Sequence, residues 1–217
     1  MTRLYIFVEG ETEESFVNEL LAPALWRHGV HPEPRSLGGR TAYRRVRGDV
    51  IRQLKQDRDA YCSTMIDLYG IGKGYPEHAP PANRPGIEKV QRIETALLGD
   101  ICAEIPDLRP EKRFIPYLQL HEYEAVLFSD PTAFAQAIYR PELAQPLIAI
   151  RTEHPTPEDI DDSPETTPSK RILALHPRYS KVIDGTHGAM AVGLDAMRAQ
   201  CPHFRHWLET LETLSPL

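Results

Sequence analysis

The chain has 217 residues, 41% of them hydrophobic and 26% charged, with a net charge of −6. That length suits one main domain with a well-buried core and is short for two, and the apolar runs fall far short of the roughly 20 residues a membrane span needs. The net acidity argues against indiscriminate binding of polyanions, and three separated cysteines (Cys62, Cys102, Cys201) form neither a disulfide framework nor a zinc pattern, so a reducing cytoplasm is expected.

Met1-Thr2-Arg3 leads directly into the apolar run Leu4 to Val8, which reads as a buried central strand; no cleavage-site pattern of a secretory leader is expected there. Thr12 is the expected cap of the next helix, in which Phe16, Val17, Leu20, Leu21 and Leu25 recur at helical spacing until Gly29 ends it. Residues 30 to 38 form a weak second strand, and Tyr43 to Gln56 a helix with Val46, Val50, Ile51 and Leu54 on its buried side. A strand near Cys62 to Leu68 closes on Gly70. The stretch Gly70 to Pro85 is rich in Gly and Pro and predicts an exposed loop beside Asp67. A helix follows from about Gly86 to Glu104 and stops at Pro106, then a fourth strand over 113 to 120.

Strands alternating with helices predict an α/β fold with a mainly parallel sheet flanked by helices. A core over residues 1–130 would carry a helical C-terminal extension, 131–217, packed on that same core. Within it, residues 151 to 170 read as a loop, and helices are expected near Lys170 to Leu175, Gly188 to Ala199 and Phe204 to Leu214.

Two of these strands end in an acid, Val8-Glu9-Gly10 and Met65-Ile66-Asp67. The carboxyl ends of parallel strands face the ligand crevice of an open α/β sheet, so the two carboxylates can converge on one divalent cation. For either acid alone a turn or cap role is the ordinary expectation; two in this order favour a site. His121-Glu122-Tyr123-Glu124 lacks the spacing of a zinc motif, and the lone Gly72-Lys73-Gly74 lacks that of a nucleotide loop. From Arg35 to Arg58 eight basic residues stand against two acids, which makes Arg44 and Arg45 candidates for contact with nucleic-acid phosphates or, more blandly, part of a solvated helix face. Lys170, Arg171 and Lys181 are candidate phosphate contacts of the same kind. Trp207 and Phe204 fall in an apolar stripe at helical spacing and read as core.

The runs Val8-Glu9-Gly10-Glu11-Thr12-Glu13, Met65-Ile66-Asp67-Leu68-Tyr69-Gly70, His121-Glu122-Tyr123-Glu124-Ala125, Ser169-Lys170-Arg171-Ile172 and Cys201-Pro202-His203-Phe204 resemble an uncharacterised prokaryotic family of Toprim-like proteins. Residues 3 to 125 resemble the Toprim domain of topoisomerases, primases and OLD-family nucleases. The resemblance implies a Mg- or Mn-dependent phosphodiesterase, a nuclease effector in an anti-phage defence locus that acts with an ABC-type ATPase, with DNA or RNA as substrate, no membrane, and self-association left open. It implies Glu9 and Asp67 as catalytic metal ligands. The general pattern has a second aspartate two residues after the first, where this chain has Tyr69, a poor ligand for Mg²⁺ at neutral pH. A replacement is expected from Glu122 or Glu124 at the end of the fourth strand, Glu122 being preferred, or from Glu13. Lys181 completes the catalytic set as a phosphate contact. The lost aspartate also motivates a rival, a non-catalytic sensor or adaptor for the ATPase, and a small-substrate phosphoryl transferase is a third reading.

Overall fold

A computed structural model describes residues 1–72, 74–77, 86–160 and 166–217. Its centre is a parallel sheet of β1 (Thr2–Val8), β2 (Val30–Ser36), β3 (Ala60–Asp67), β4 (Phe114–Ile115) and β5 (Leu118–Gln119), ordered β2-β1-β3-β4, with β5 also pairing with β3. Val8 stands opposite both Ser36 and Met65, so β1 and β3 finish side by side. β3 is buried along its whole length, as expected of a strand covered on both faces.

Connections between parallel strands must cross over the sheet, and helices make them. The first crossover is α1 (Glu11–Phe16), a wide π-turn over Val17–Leu21, and α2 (Ala22–Trp26). Pro23 explains the interruption: it offers no N–H and its ring crowds the carbonyl four residues back, which opens the helix locally. The other crossovers are α3 (Tyr43–Gln56) and α4 (Gly86–Glu104), followed by the single turn α5 (Pro110–Arg113). Two apolar clusters lie on the two faces of the sheet. The smaller joins Phe7 and Ile66 to Val46, Val50 and Leu54 of α3 and to Val90, Ile93 and Leu97 of α4. The larger joins Leu4, Ile6, Val8 and Met65 to Phe16 and to the C-terminal helices.

Those helices are α6 (Pro131–Ala137), α7 (Ala144–Thr152), α8 (Pro168–Leu175), α9 (Thr186–Gln200) and α10 (Pro202–Glu212). Phe134, Leu147, Val192, Phe204 and Trp207 carry them onto the same core as β1 and β3. α6 and α7 fall within the helical extension expected from residue 131, though they are not placed individually from the sequence; Asp130 before Pro131 is a strong start signal, its Oδ1 accepting from the N–H of Thr132 (3.1 Å) and of Ala133 (3.0 Å). Among the described residues, no helix is long and apolar enough to cross a membrane.

Several local expectations are revised. Thr12 does not cap α1; Gly10 holds that position, and Glu13 reaches back to accept the Gly10 N–H at 3.0 Å. The fourth strand is broken in two at Pro116, where β3 side chains replace the ladder: Thr64 Oγ1 accepts from Tyr117 N and donates to Tyr117 O, each at 2.9 Å, and Ser63 Oγ donates to Ile115 O at 2.6 Å. The loop after Gly70 is not wholly exposed, since Ile71 and Tyr75 are buried and Tyr75 Oη donates to Thr41 O at 2.9 Å. Lys73, residues 78–85 of that loop, and residues 161–165 of the second expected loop lie outside the described residues.

A candidate acidic site closed by a lysine

Glu9 and Asp67 follow from the sheet geometry: each lies at or just past the carboxyl end of adjacent strands. Side chains alternate along a strand, so Asp67 falls on the Met65 side, over the larger core, and Glu9 on the Phe7 side. Glu9 therefore comes to the site over the sheet edge. It is able to do so because Gly70 has no side chain; a Cβ there would overlap the Glu9 carboxylate. The carbonyl of Glu9 accepts from Gly39 N at 2.8 Å, which ties the turn after β1 to the loop after β2.

Three further charged groups complete the cluster. Glu13 hangs from the first turn of α1. Glu124 comes from the 3₁₀ segment Tyr123–Ser129 that follows β5. The chain enters this segment through His121, a non-glycine residue at φ 59°, a conformation that costs about 1 kcal/mol or more and turns the chain sharply at the sheet edge. Lys181 opens a second π-turn, Lys181–Gly185, whose start is fixed by Ser180: its N–H donates to Asp184 Oδ2 at 2.8 Å and its Oγ accepts from Ile183 N at 3.3 Å.

The Lys181 ammonium stands 2.9 Å from Asp67 Oδ2, 3.1 Å from Glu13 Oε1 and 3.7 Å from Glu124 Oε2, and 5.6 Å from the centre of the Tyr123 ring. Only the bond to Asp67 has hydrogen-bond alignment; Glu13 Oε1, like Asp67 Oδ1 and Glu9 Oε2, is a buried oxygen with no hydrogen-bond donor among the described residues. Burial raises the proton affinity of Glu9, Asp67 and Glu124 above the usual carboxylate range. Lys181 opposes this in each case, and neighbouring acids reinforce it. For Lys181 burial works the other way, yet Asp67, Glu124 and Glu13 outweigh it and hold the ammonium firmly protonated.

Beside the cluster is a cavity of about 270 Å³, lined among others by Asp67, Glu122, Glu124, Tyr179 and Lys181. Glu122 borders this cavity but its carboxylate is engaged: Oε2 accepts the Ser169 N–H at 2.9 Å and so closes the amino end of α8. Tyr69, 44% exposed, packs its ring against His121 (centroids 5.7 Å apart) and does not take the place of a cluster acid. Lys170 is exposed on α8, and Arg171 donates to Thr166 O at 2.8 Å and lies 4.0 Å from Glu153. Arg44 and Arg45 belong to the layer on the other face of the sheet, and Arg45 pairs with Asp49 at 2.6 Å. Part of the basic run is balanced there by local acids, with Asp49 also pairing with Arg52 at 2.7 Å, and Arg47 with Asp100 at 2.5 Å.

The structure thus joins Glu9, Glu13, Asp67 and Lys181, which sequence singled out, and gives Glu124 the inner position expected of Glu122. Tyr179 and Tyr123, which line the lysine's surroundings, carry no sequence signal of their own. Carboxylate oxygens are the donors a hard divalent cation takes, and the donorless buried oxygens of Glu9 and Asp67 fit one. Among the described residues, however, no three Asp, Glu, His or Cys side chains already stand as an ion cage; the charge at the centre is the ammonium.

No curated protein and no solved structure matches the chain. A protein-family model described as "Domain of unknown function (DUF4276)" matches residues 8–212.

Proposed function

The chain belongs to the DUF4276 family, and within it we propose a Toprim-like, Mg- or Mn-dependent phosphodiesterase, a nuclease effector acting with an ABC-type ATPase. The observation that carries this reading is the meeting of Glu13, Asp67 and Glu124 around one cationic position at the carboxyl edge of a parallel sheet, with Glu9 close enough to feel that charge, the four acids coming from three separate stretches of chain. A scaffold has no structural need for so many partly unsatisfied acids; each is a cost that a function must offset. Glu9, Asp67, Glu13 and Glu124 would hold the metal, which when bound supplies charge neutralisation at a phosphate and a water of lowered pKa. Glu9, whose proton affinity is raised by burial, is suited to take a proton from such a water. Lys181 supplies the positive charge for a phosphate oxygen, and exposed Lys170 lies on the helix that borders the same cavity.

Purified protein with Mn²⁺ is expected to cleave DNA, RNA or bis(p-nitrophenyl) phosphate. Glu9→Gln and Asp67→Asn should each reduce the rate by about 100-fold or more while the far-UV circular dichroism stays unchanged. A wild-type protein inert on all three substrates sinks the proposal.

One observation favours the adaptor reading: Lys181 already neutralises part of the cluster, and Tyr69 contributes no ligand. In that case the acidic variants would keep full defence activity in cells.

A further inference from the structure

Lys181 does more in this structure than a phosphate contact requires. Its one ammonium has three protons to offer, whereas the three carboxylates around it, with Glu9 near enough to feel its charge, carry many more lone pairs. The result is the set of donorless oxygens on Glu9, Glu13 and Asp67, all shut off from water. The lysine therefore covers a site it does not satisfy. Its contacts of 2.9 and 3.1 Å are also too long for Mg²⁺, which binds oxygen at about 2.1 Å. The acids are spread to the radius of an ammonium, which accounts for the lack of a ready-made ion cage among the described residues.

The lysine is built to leave. Its side chain is 35% exposed on a flexible four-carbon stem, and it springs from an irregular π-turn whose next two residues, Val182 and Ile183, are 43% and 60% exposed. Rotation of the stem toward solvent would break the aligned hydrogen bond to Asp67 and the ion pairs with Glu13 and Glu124.

Resting on the metal-dependent reading above, we infer that Lys181 is a resident cation that keeps the acidic pocket closed. A divalent ion enters only by displacing it, and the freed ammonium then stands at the mouth as the phosphate contact. The site is latent at low metal, and the affinity for metal is set by competition with an internal charge. Such competition lowers the apparent affinity by the fraction of molecules in which the lysine is out.

Calorimetric titration of Mn²⁺ into the wild type and into Lys181→Met, Lys181→Gln and Lys181→Arg tests this. Lys181→Met and Lys181→Gln should bind Mn²⁺ about tenfold more tightly than the wild type, and Lys181→Arg, which keeps the charge, no more tightly. Without metal the neutral variants should melt below the wild type and regain more with Mn²⁺ than it does. Their cleavage of bis(p-nitrophenyl) phosphate should nevertheless be slower; cleavage at the wild-type rate would remove the phosphate-contact half. If the wild type binds Mn²⁺ and the folded neutral variants bind it equally or less well, the displacement idea fails and the metal reading survives. If no variant and no wild type binds, both fail together.

Discussion

Asp67 is buried within the cluster, and its burial makes ionisation costly even with Lys181 at 2.9 Å. The sign of the effect on stability follows from its raised pKa. A carboxyl that holds its proton more strongly in the folded state than in the unfolded chain, where it titrates near 4, makes the fold less stable as pH rises through that window. Asp67→Asn removes the charge and leaves Lys181 with Glu13 and Glu124. The variant is expected to melt above the wild type at pH 8 in the absence of metal, with the gap closing towards pH 4.5. Melting curves across that range would check it, and a variant less stable than the wild type at pH 8 would show that the aspartate serves the fold. Stability gained by deleting a residue that activity needs is a mark of a functional site.

At the scale of elements, β3 does most to build the site, and it does so partly with side chains. Where Pro116 interrupts the neighbouring strand, the Thr64 hydroxyl both accepts from and donates to Tyr117, and Ser63 serves Ile115 while accepting from Trp207 Nε1 at 2.9 Å. Thr64→Val keeps the shape and strands both Tyr117 backbone groups in a buried place. A loss of about 1–3 kcal/mol is expected, with the denaturant slope unchanged; chemical denaturation measures it, and a loss within error would mean the ladder is held elsewhere. This repair also explains what could be read in advance. Apolar runs and periodicity located β1, β3, α3 and α4 to within about two residues, because those elements are defined by which face they bury. The acids at the ends of β1 and β3 followed from the same logic. The break at Pro116 was visible as a proline, but its rescue by hydroxyls from a strand 53 residues away was not. Nor was the choice of Glu124 over Glu122: the two differ only in where a 3₁₀ turn after the strained His121 aims them, and Glu122 is taken by the end of α8. Lys181 was nameable as a basic residue, but its central position depends on packing of the C-terminal helices.

Across the whole molecule, those helices are fastened to the sheet through buried polar groups as well as apolar ones. Glu94 of α4 accepts from Leu118 N at 2.7 Å and pairs with His203 of α10 at 3.0 Å; Glu158 accepts the N–H groups of His203 and Phe204, each at 2.9 Å. Tyr117 stacks between His203 and Trp207, at 5.0 and 4.3 Å. Burial alone would depress the His203 pKa, but the hydrogen bond and charge of Glu94, with Glu158 behind it, outweigh burial and raise it. A histidine raised in the folded state contributes stability that is complete below its unfolded value of about 6.5 and is lost as pH climbs through the folded value. The acidic cluster works in the same direction over its own, lower range, since its raised carboxyls also favour the protonated fold. Metal binding has the opposite dependence, because carboxylates must give up their protons to hold an ion. The metal-free protein is thus expected to be most stable at mildly acidic pH and to weaken steadily towards pH 8, and Glu94→Gln, which still offers an oxygen to Leu118 N, should flatten the part of that decline above pH 6.5. Added Mn²⁺ should raise the melting temperature more at pH 8 than at pH 6. Thermal melts of both proteins at a series of pH values, with and without Mn²⁺, separate the two contributions: a Mn²⁺ shift that does not grow with pH means the ion is not held by these carboxylates, and a decline untouched by Glu94→Gln means that the hold of α10 on the sheet does not depend on the charge of His203.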